Sequence, residues 1–151
     1  MLMNEMQYMS KSEVETWLNK YETKKGRKLK ILHIGNIANN AYNNAKLLNK
    51  YGITNHVICY DYYHVMGTPE WEDATFDQSM VEDQFMPNWY KIDLHGFERP
   101  RWFVQGPMLL CLKYLLALNT EKTHEANAQW IKLGLVNKTR RTLGIGAIAS
   151  R

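Results

Sequence analysis

Cysteine is nearly absent from this chain: two residues in 151, Cys59 and Cys111. Both sit inside apolar runs and form no C-x-x-C, which excludes a disulfide framework and a thiolate metal site; they read as reduced core thiols of a cytosolic protein. Long apolar runs are also missing. No stretch approaches the roughly 20 residues that span a bilayer. The Met-rich beginning carries Glu5 and no apolar h-region, so no secretory signal is read. The expected location is cytoplasmic, with any contact at the inner membrane face no more than peripheral. No basic motif interleaved with aromatics appears, so nucleic acid is not an expected partner.

Several chemical signatures are absent as well. The first apolar run is not followed by G-x-G-x-x-G, which argues against a dinucleotide cofactor, and its loop lacks the lysine of a P-loop. Gly144-Ile-Gly146-Ala-Ile-Ala149 spells G-x-G-x-x-A, yet it follows Thr-Arg-Arg-Thr instead of a strand and reads as a decoy. His124-Glu125 begins H-E-x-x-H, but Ala128 stands in the second histidine's place. The acids between Glu70 and Asp83 match no EF-hand loop and read as a solvated surface. No metal and no cofactor are expected.

What is present suits one domain with a real core. The net charge is +4. Lys20, Lys24, Lys25, Arg27, Lys28 and Lys30 crowd one region, a solvated lysine face in the commoner case and a phosphate or lipid contact in the rarer one.

The central pattern runs from Lys28 to Asp61. An apolar run over 29–34 stops at Gly35, a polar loop follows, and an amphipathic stretch over 41–51 ends at Gly52. A second apolar run covers 57–60, within an expected strand over about 56–60. Strand, helix, strand in one sheet makes the strands parallel, and α/β proteins place ligands where the first strand meets its helix. Asn39 or Asn40 can cap that helix, with Ala41, Ala45, Leu48 and Tyr51 on its inner face.

Around this unit, residues 12–25 read as a leading helix. Ser12 and Glu15 have capping-box spacing, Gly26 is the closing residue, and Val14, Trp17, Leu18 and Tyr21 make a stripe against the domain. Residues 61–101 lose regular pattern while holding Trp71, Phe76, Phe85, Trp89 and Phe97, too many large apolar groups for full disorder. A leucine-rich helix is expected over 107–118, as core or as an exposed partner face. Another is expected over 124–133, with Gly134 as its stop and an αα-hairpin as the pairing.

The best binding candidates lie on the edge this order creates. Gly35 permits a sharp turn, and the helix start beyond it offers free N–H groups and a positive dipole end. Asn39, Asn40, Asn43 and Asn44 carry donors and acceptors suited to sugar hydroxyls, and Asn36 joins them as a binding candidate; the plainer reading is that the asparagines cap and solvate a helix start. Asp61 can hold a sugar hydroxyl and His64 can exchange protons, unless that segment is only a turn packed by Tyr62 and Tyr63. His33 reads as a hydrogen-bonded core histidine.

The strings Lys30-Ile-Leu-His-Ile-Gly-Asn-Ile-Ala-Asn-Asn-Ala-Tyr-Asn-Asn-Ala-Lys and Val57-Ile-Cys-Tyr-Asp-Tyr-Tyr-His-Val-Met-Gly-Thr-Pro-Glu-Trp-Glu-Asp resemble the start of a GT-B-type glycosyltransferase of the bacterial surface-polysaccharide group. The resemblance continues through Gly96-Phe-Glu-Arg-Pro-Arg-Trp-Phe-Val-Gln-Gly-Pro and covers about 29–118. It implies an α/β fold: a Rossmann-like N-terminal βαβ unit with additional helices, the incomplete half of a GT-B fold. A nucleotide-sugar donor and a glycan or lipid-linked acceptor would be the substrates, with no metal needed. Gly35, Asn36, Asn39 and Asn40 would border the cleft. The implied organisation is a leading amphipathic helix over 1–27, a partial acceptor-side domain over 28–136 and a poorly ordered or truncated tail over 137–151. Because the donor-binding domain and the family's later histidine segment do not fit before Arg151, a fragment inactive alone, with no catalytic residue of its own, is expected. The alternative is a non-catalytic Rossmann-like binding or interaction module. A small Rossmann methyltransferase is disfavoured by the missing glycine-rich loop.

Overall fold

The structure, a computed structural model, describes residues 10–60, 65–83, 85 and 87–143, with the backbone alone at Val65 and Arg141. Among them, five helices surround one small open sheet of three parallel strands, in the order β1-β2-β3. The fold is α/β. β1 spans Lys30–Ile34 and β2 spans Thr54–Cys59, and they pair in parallel with Ile34 opposite Ile58. β3, Phe103–Gln105, adds to the other side of β2, with Ile58 opposite Val104.

β2 is central and buried from Asn55 to Cys59, as a parallel strand covered on both faces must be. On one face α2, Asn40–Lys50, sets Tyr42 and Ala45 against Val57, Cys59 and Phe103. Tyr42 is the pivot there, stacking on Trp102 at 5.1 Å. On the other face α4, Met108–Asn119, and α5, Thr123–Thr142, form the expected hairpin over Ile58 and Val104, burying Cys111, Tyr114, Leu115 and Leu133. Both cysteines are buried and unbridged.

Two sequence expectations change. First, α1 runs from Lys11 to Lys25, and its capping box is Ser10 with Glu13 instead of Ser12 with Glu15. Gly26 closes it in the left-handed conformation, φ 61°, as expected. Its stripe is covered only in part: Val14, Leu18 and Tyr21 are half-buried, while Trp17 is 49% exposed and stacks on Tyr21. Second, α5 passes straight through Gly134 to Thr142, so residues 137–142 of the expected tail are helical. The reason is tertiary. Asn137 donates to the Gln105 carbonyl at 2.6 Å, and Gly106 makes room, since a Cβ there would sit 2.7 Å from the Asn137 amide oxygen. The 61–101 span, whose large apolar groups argue against full disorder, is folded where described. Short α3, Pro69–Asp73, follows the sheet edge, and Trp89 and Ile92 make a satellite core with Phe76, Val81 and Leu94.

β1 is the exception to good coverage. Leu32 is 43% and Ile34 58% exposed, on the sheet face that α4 and α5 cover only over β2 and β3. The flank of α4 nearest β1 also exposes Leu109, Leu112 and Leu116. It continues at helical spacing to Asn119, which accepts from Lys30 Nζ and meets His56 Nε2, each at 3.1 Å.

His56 makes stability sensitive to acid. The ring is buried at the sheet's amino edge, and its Nδ1 has no hydrogen-bond partner. Burial pushes its pKa below the usual histidine value. The unfolded chain therefore binds a proton that the folded chain refuses, and stability is lost as pH falls below the unfolded value, about 6.5. Urea midpoints are expected to drop between about pH 7.5 and pH 5.5, and a His56→Gln variant should flatten that drop.

Candidate functional site

The carboxyl edge of the sheet is built from three adjoining pieces: the crook after β1, the start of the aromatic insert after β2, and the end of β3. The Gly35 N–H donates to the Ile58 carbonyl at 2.8 Å, extending the ladder one residue, and φ of 91° demands glycine there. The chain then makes a 3-10 turn, Ile37–Asn39, in which Ala38 and Asn39 both hold left-handed conformations, φ 49° and 53°. Two successive non-glycine residues of this kind store strain of about 1 kcal/mol each or more.

Side-chain amides compensate. Asn36 is 2% exposed: its Oδ1 accepts from the Tyr42 N–H at 2.9 Å, and its Nδ2 donates to Asn39 Oδ1 and to the Gly67 carbonyl. It therefore caps α2 from outside the helix, a role expected of Asn39 or Asn40. Asn39, fully buried, donates through Nδ2 to the Thr68 carbonyl at 2.9 Å and to Glu72 Oε1. Both amide donors of each residue are engaged within the protein.

The predicted residues thus separate into two groups. Asn36 and Asn39 lie inside and weld the crook to residues 67–72. Asn40 and Asn43 are exposed on the first turn of α2, and Gly35 is half-buried at the strand end. Asp61 and His64 lie outside the described residues. The decoy motif over 144–149 does too. His33 is half-buried and meets Asn55 Oδ1 through Nε2 at 3.2 Å.

Tyr42 adds a polar tie. Its hydroxyl donates to Asp73, which Lys46 also pairs. Burial first, and then the Asp73 carboxylate, push the Tyr42 pKa far above the usual phenol value, so it stays a hydrogen-bond donor at any physiological pH.

Thr68 links the crook to a larger feature. Its Oγ1 accepts from Trp89 Nε1 at 3.1 Å while its carbonyl accepts from Asn39. Beyond it opens a cleft of about 760 Å3 between the aromatic insert, β3 and α5. Tyr90 and Phe97 line one wall, Trp130 and Ile131 the other, and Phe103 and Gln105 the floor. At its base, buried Glu70 takes both Arg99 Nε and Arg99 Nη2, and Arg99 Nη1 donates to Gln105 Oε1 at 2.7 Å. Arg101 lies over the Trp130 ring and bonds Asn127. The sequence carried a signal for this cleft in its dense aromatics before residue 103, but nothing local showed that α5 would supply the opposite wall.

The site is thus a strained polar crook and an aromatic cleft, joined through one threonine, on an open parallel α/β sheet. The chain matches no family model, no curated protein and no solved structure. Among the described residues no cluster of three or more His, Cys, Asp or Glu could hold a metal ion, and no helix is long and apolar enough to cross a membrane.

Proposed function

We propose that this chain is the acceptor-side part of a GT-B-type glycosyltransferase, which moves a sugar from a nucleotide-sugar donor to a glycan or lipid-linked acceptor. The supporting observation is the strained crook at the carboxyl edge of a parallel sheet, where ligands of α/β proteins collect. Its rigid inner pair, Asn36 and Asn39, holds the turn while Gly35, Asn40 and Asn43 are left to border the acceptor. The donor diphosphate belongs to a facing Rossmann-like domain, met there by helix dipoles and basic side chains. The half-covered β1 fits this reading, because one further strand and helix beside Leu32 and Ile34 would complete the layer.

The test is a transfer assay with radiolabelled nucleotide sugars and bacterial polysaccharide fragments. The 151-residue chain alone is expected to transfer nothing. Acceptor-dependent transfer by the chain alone would overturn this division of labour.

A second reading, a non-catalytic interaction module, is favoured by the exposed Leu109, Leu112 and Leu116 flank. Sedimentation separates the two. A discrete oligomer supports the module. Non-specific aggregation relieved by Leu32→Lys with Ile34→Lys supports an uncovered half-sheet, since an apolar sheet edge templates association until charge blocks it.

A further inference from the structure

We infer that the cleft between the aromatic insert, β3 and α5 is a binding site for an uncharged pyranoside, a sugar subsite separate from the crook. The inference takes the sugar handling of the proposed function as its premise and adds the place and the ligand class. Size comes first: about 760 Å3 is well inside the range of small-ligand clefts, and room for more than one sugar ring. Charge comes next. The ionisable residues lining the cleft are Glu70, Glu98, Arg99 and Arg101, two of each sign. Arg99 is chelated by Glu70, so its guanidinium is not a free anion site. With two charges of each sign, the lining gives a phosphate or carboxylate no net attraction, and a neutral hydroxylated ring needs none. The remaining lining supplies what such a ring needs. Tyr90, 68% exposed, offers a flat face for a C–H surface, while Trp130 lines the opposite wall with Arg101 over its ring and Tyr114 packed against it. Asn127 and Asn137 stand beside them on α5.

Gly134 is the independent clue. It lies mid-helix in α5 and lines the cleft, yet nothing lies within 4 Å of where its Cβ would be. Its backbone is helical, so neither a left-handed φ nor close packing calls for glycine. Glycine there weakens the helix. A ligand lying against the helix backbone gives the missing reason, because a side chain at this position would occupy its space.

The experiment follows the Trp130 and Trp89 indole N–H signals by NMR during titration with methyl β-D-glucopyranoside, methyl α-D-mannopyranoside and methyl N-acetyl-β-D-glucosaminide. Inorganic pyrophosphate is the charged comparison. At least one glycoside is expected to shift Trp130 saturably, and pyrophosphate is not. Gly134→Ala is expected to raise the thermal midpoint by about 3 °C, through helix propensity, while weakening glycoside binding about tenfold. Tyr90→Ala, at an exposed position, should weaken binding with the midpoint unchanged. A merely structural Gly134 cannot raise stability and lower affinity together. Unchanged affinity in Gly134→Ala, a preference for pyrophosphate, or no glycoside response would each overturn the site. Glycoside binding at Trp130 by a chain that also transfers sugar unaided would uphold the site and overturn only the division of labour proposed above.

Discussion

Asn36→Ala is expected to lower unfolding stability by about 3 kcal/mol, because one truncation leaves several buried partners unpaired. The Tyr42 N–H loses its cap, and the Gly67 carbonyl and Asn39 Oδ1 lose their donor. The strained pair Ala38 and Asn39 then has less to hold it. Asn36→Asp should be no milder. It keeps an acceptor for the Tyr42 N–H but turns a carboxylate oxygen towards the Gly67 carbonyl and Asn39 Oδ1. Urea unfolding followed by tryptophan fluorescence reads both variants. Asn40→Ala and Asn43→Ala, at exposed positions, are the contrast and should stay within about 0.5 kcal/mol of the parent. If Asn36→Ala were equally mild, the crook would not depend on its inner amides.

The second large effect lies at the base of the cleft. Arg99→Met is expected to cost about 3–4 kcal/mol, since it strands the Glu70 carboxylate, 4% exposed, without its cation. Glu70→Gln should cost less, because Arg99 is partly solvated and keeps its bond to Gln105 Oε1. The double variant should be more stable than Arg99→Met alone, since a neutral amide needs no counter-charge. A double-mutant cycle measures this directly: a coupling near zero would mean that the pair is solvated and the cleft floor soft.

Much of this architecture was legible in the sequence, and for identifiable reasons. The apolar run ending at Gly35, the helix ending at Gly52 and the apolar run after it are strong local signals, and β1, α2 and β2 fall there with boundaries moved by one or two residues. Their parallel pairing followed from chain order alone. β3 was not legible. Three residues give no periodicity, and Phe103–Gln105 is a strand only because β2 offers its free side. The length of α5 was hidden by Gly134, a residue that reads as a stop until Asn137 is seen hooked to the end of β3.

The site divides along the same line. That the chain turns sharply into a polar crook after β1 could be read from glycine followed by asparagines. Which asparagines turn inward could not, because that depends on Gly67 and Thr68, carbonyls some thirty residues away. Tyr42 escaped attention for a similar reason: its helix face looked alanine-lined until Trp102 and Asp73 closed over it. The cleft needed both the insert and α5, two segments with no sequence relation to each other.

The most direct measurement is calorimetric titration of the purified chain with a neutral bacterial oligosaccharide and, separately, with a nucleoside diphosphate. An acceptor wall with a charge-balanced aromatic cleft should bind the oligosaccharide saturably and release no detectable heat with the nucleotide. The opposite pattern, tight nucleotide binding with no response to sugar, would contradict the account.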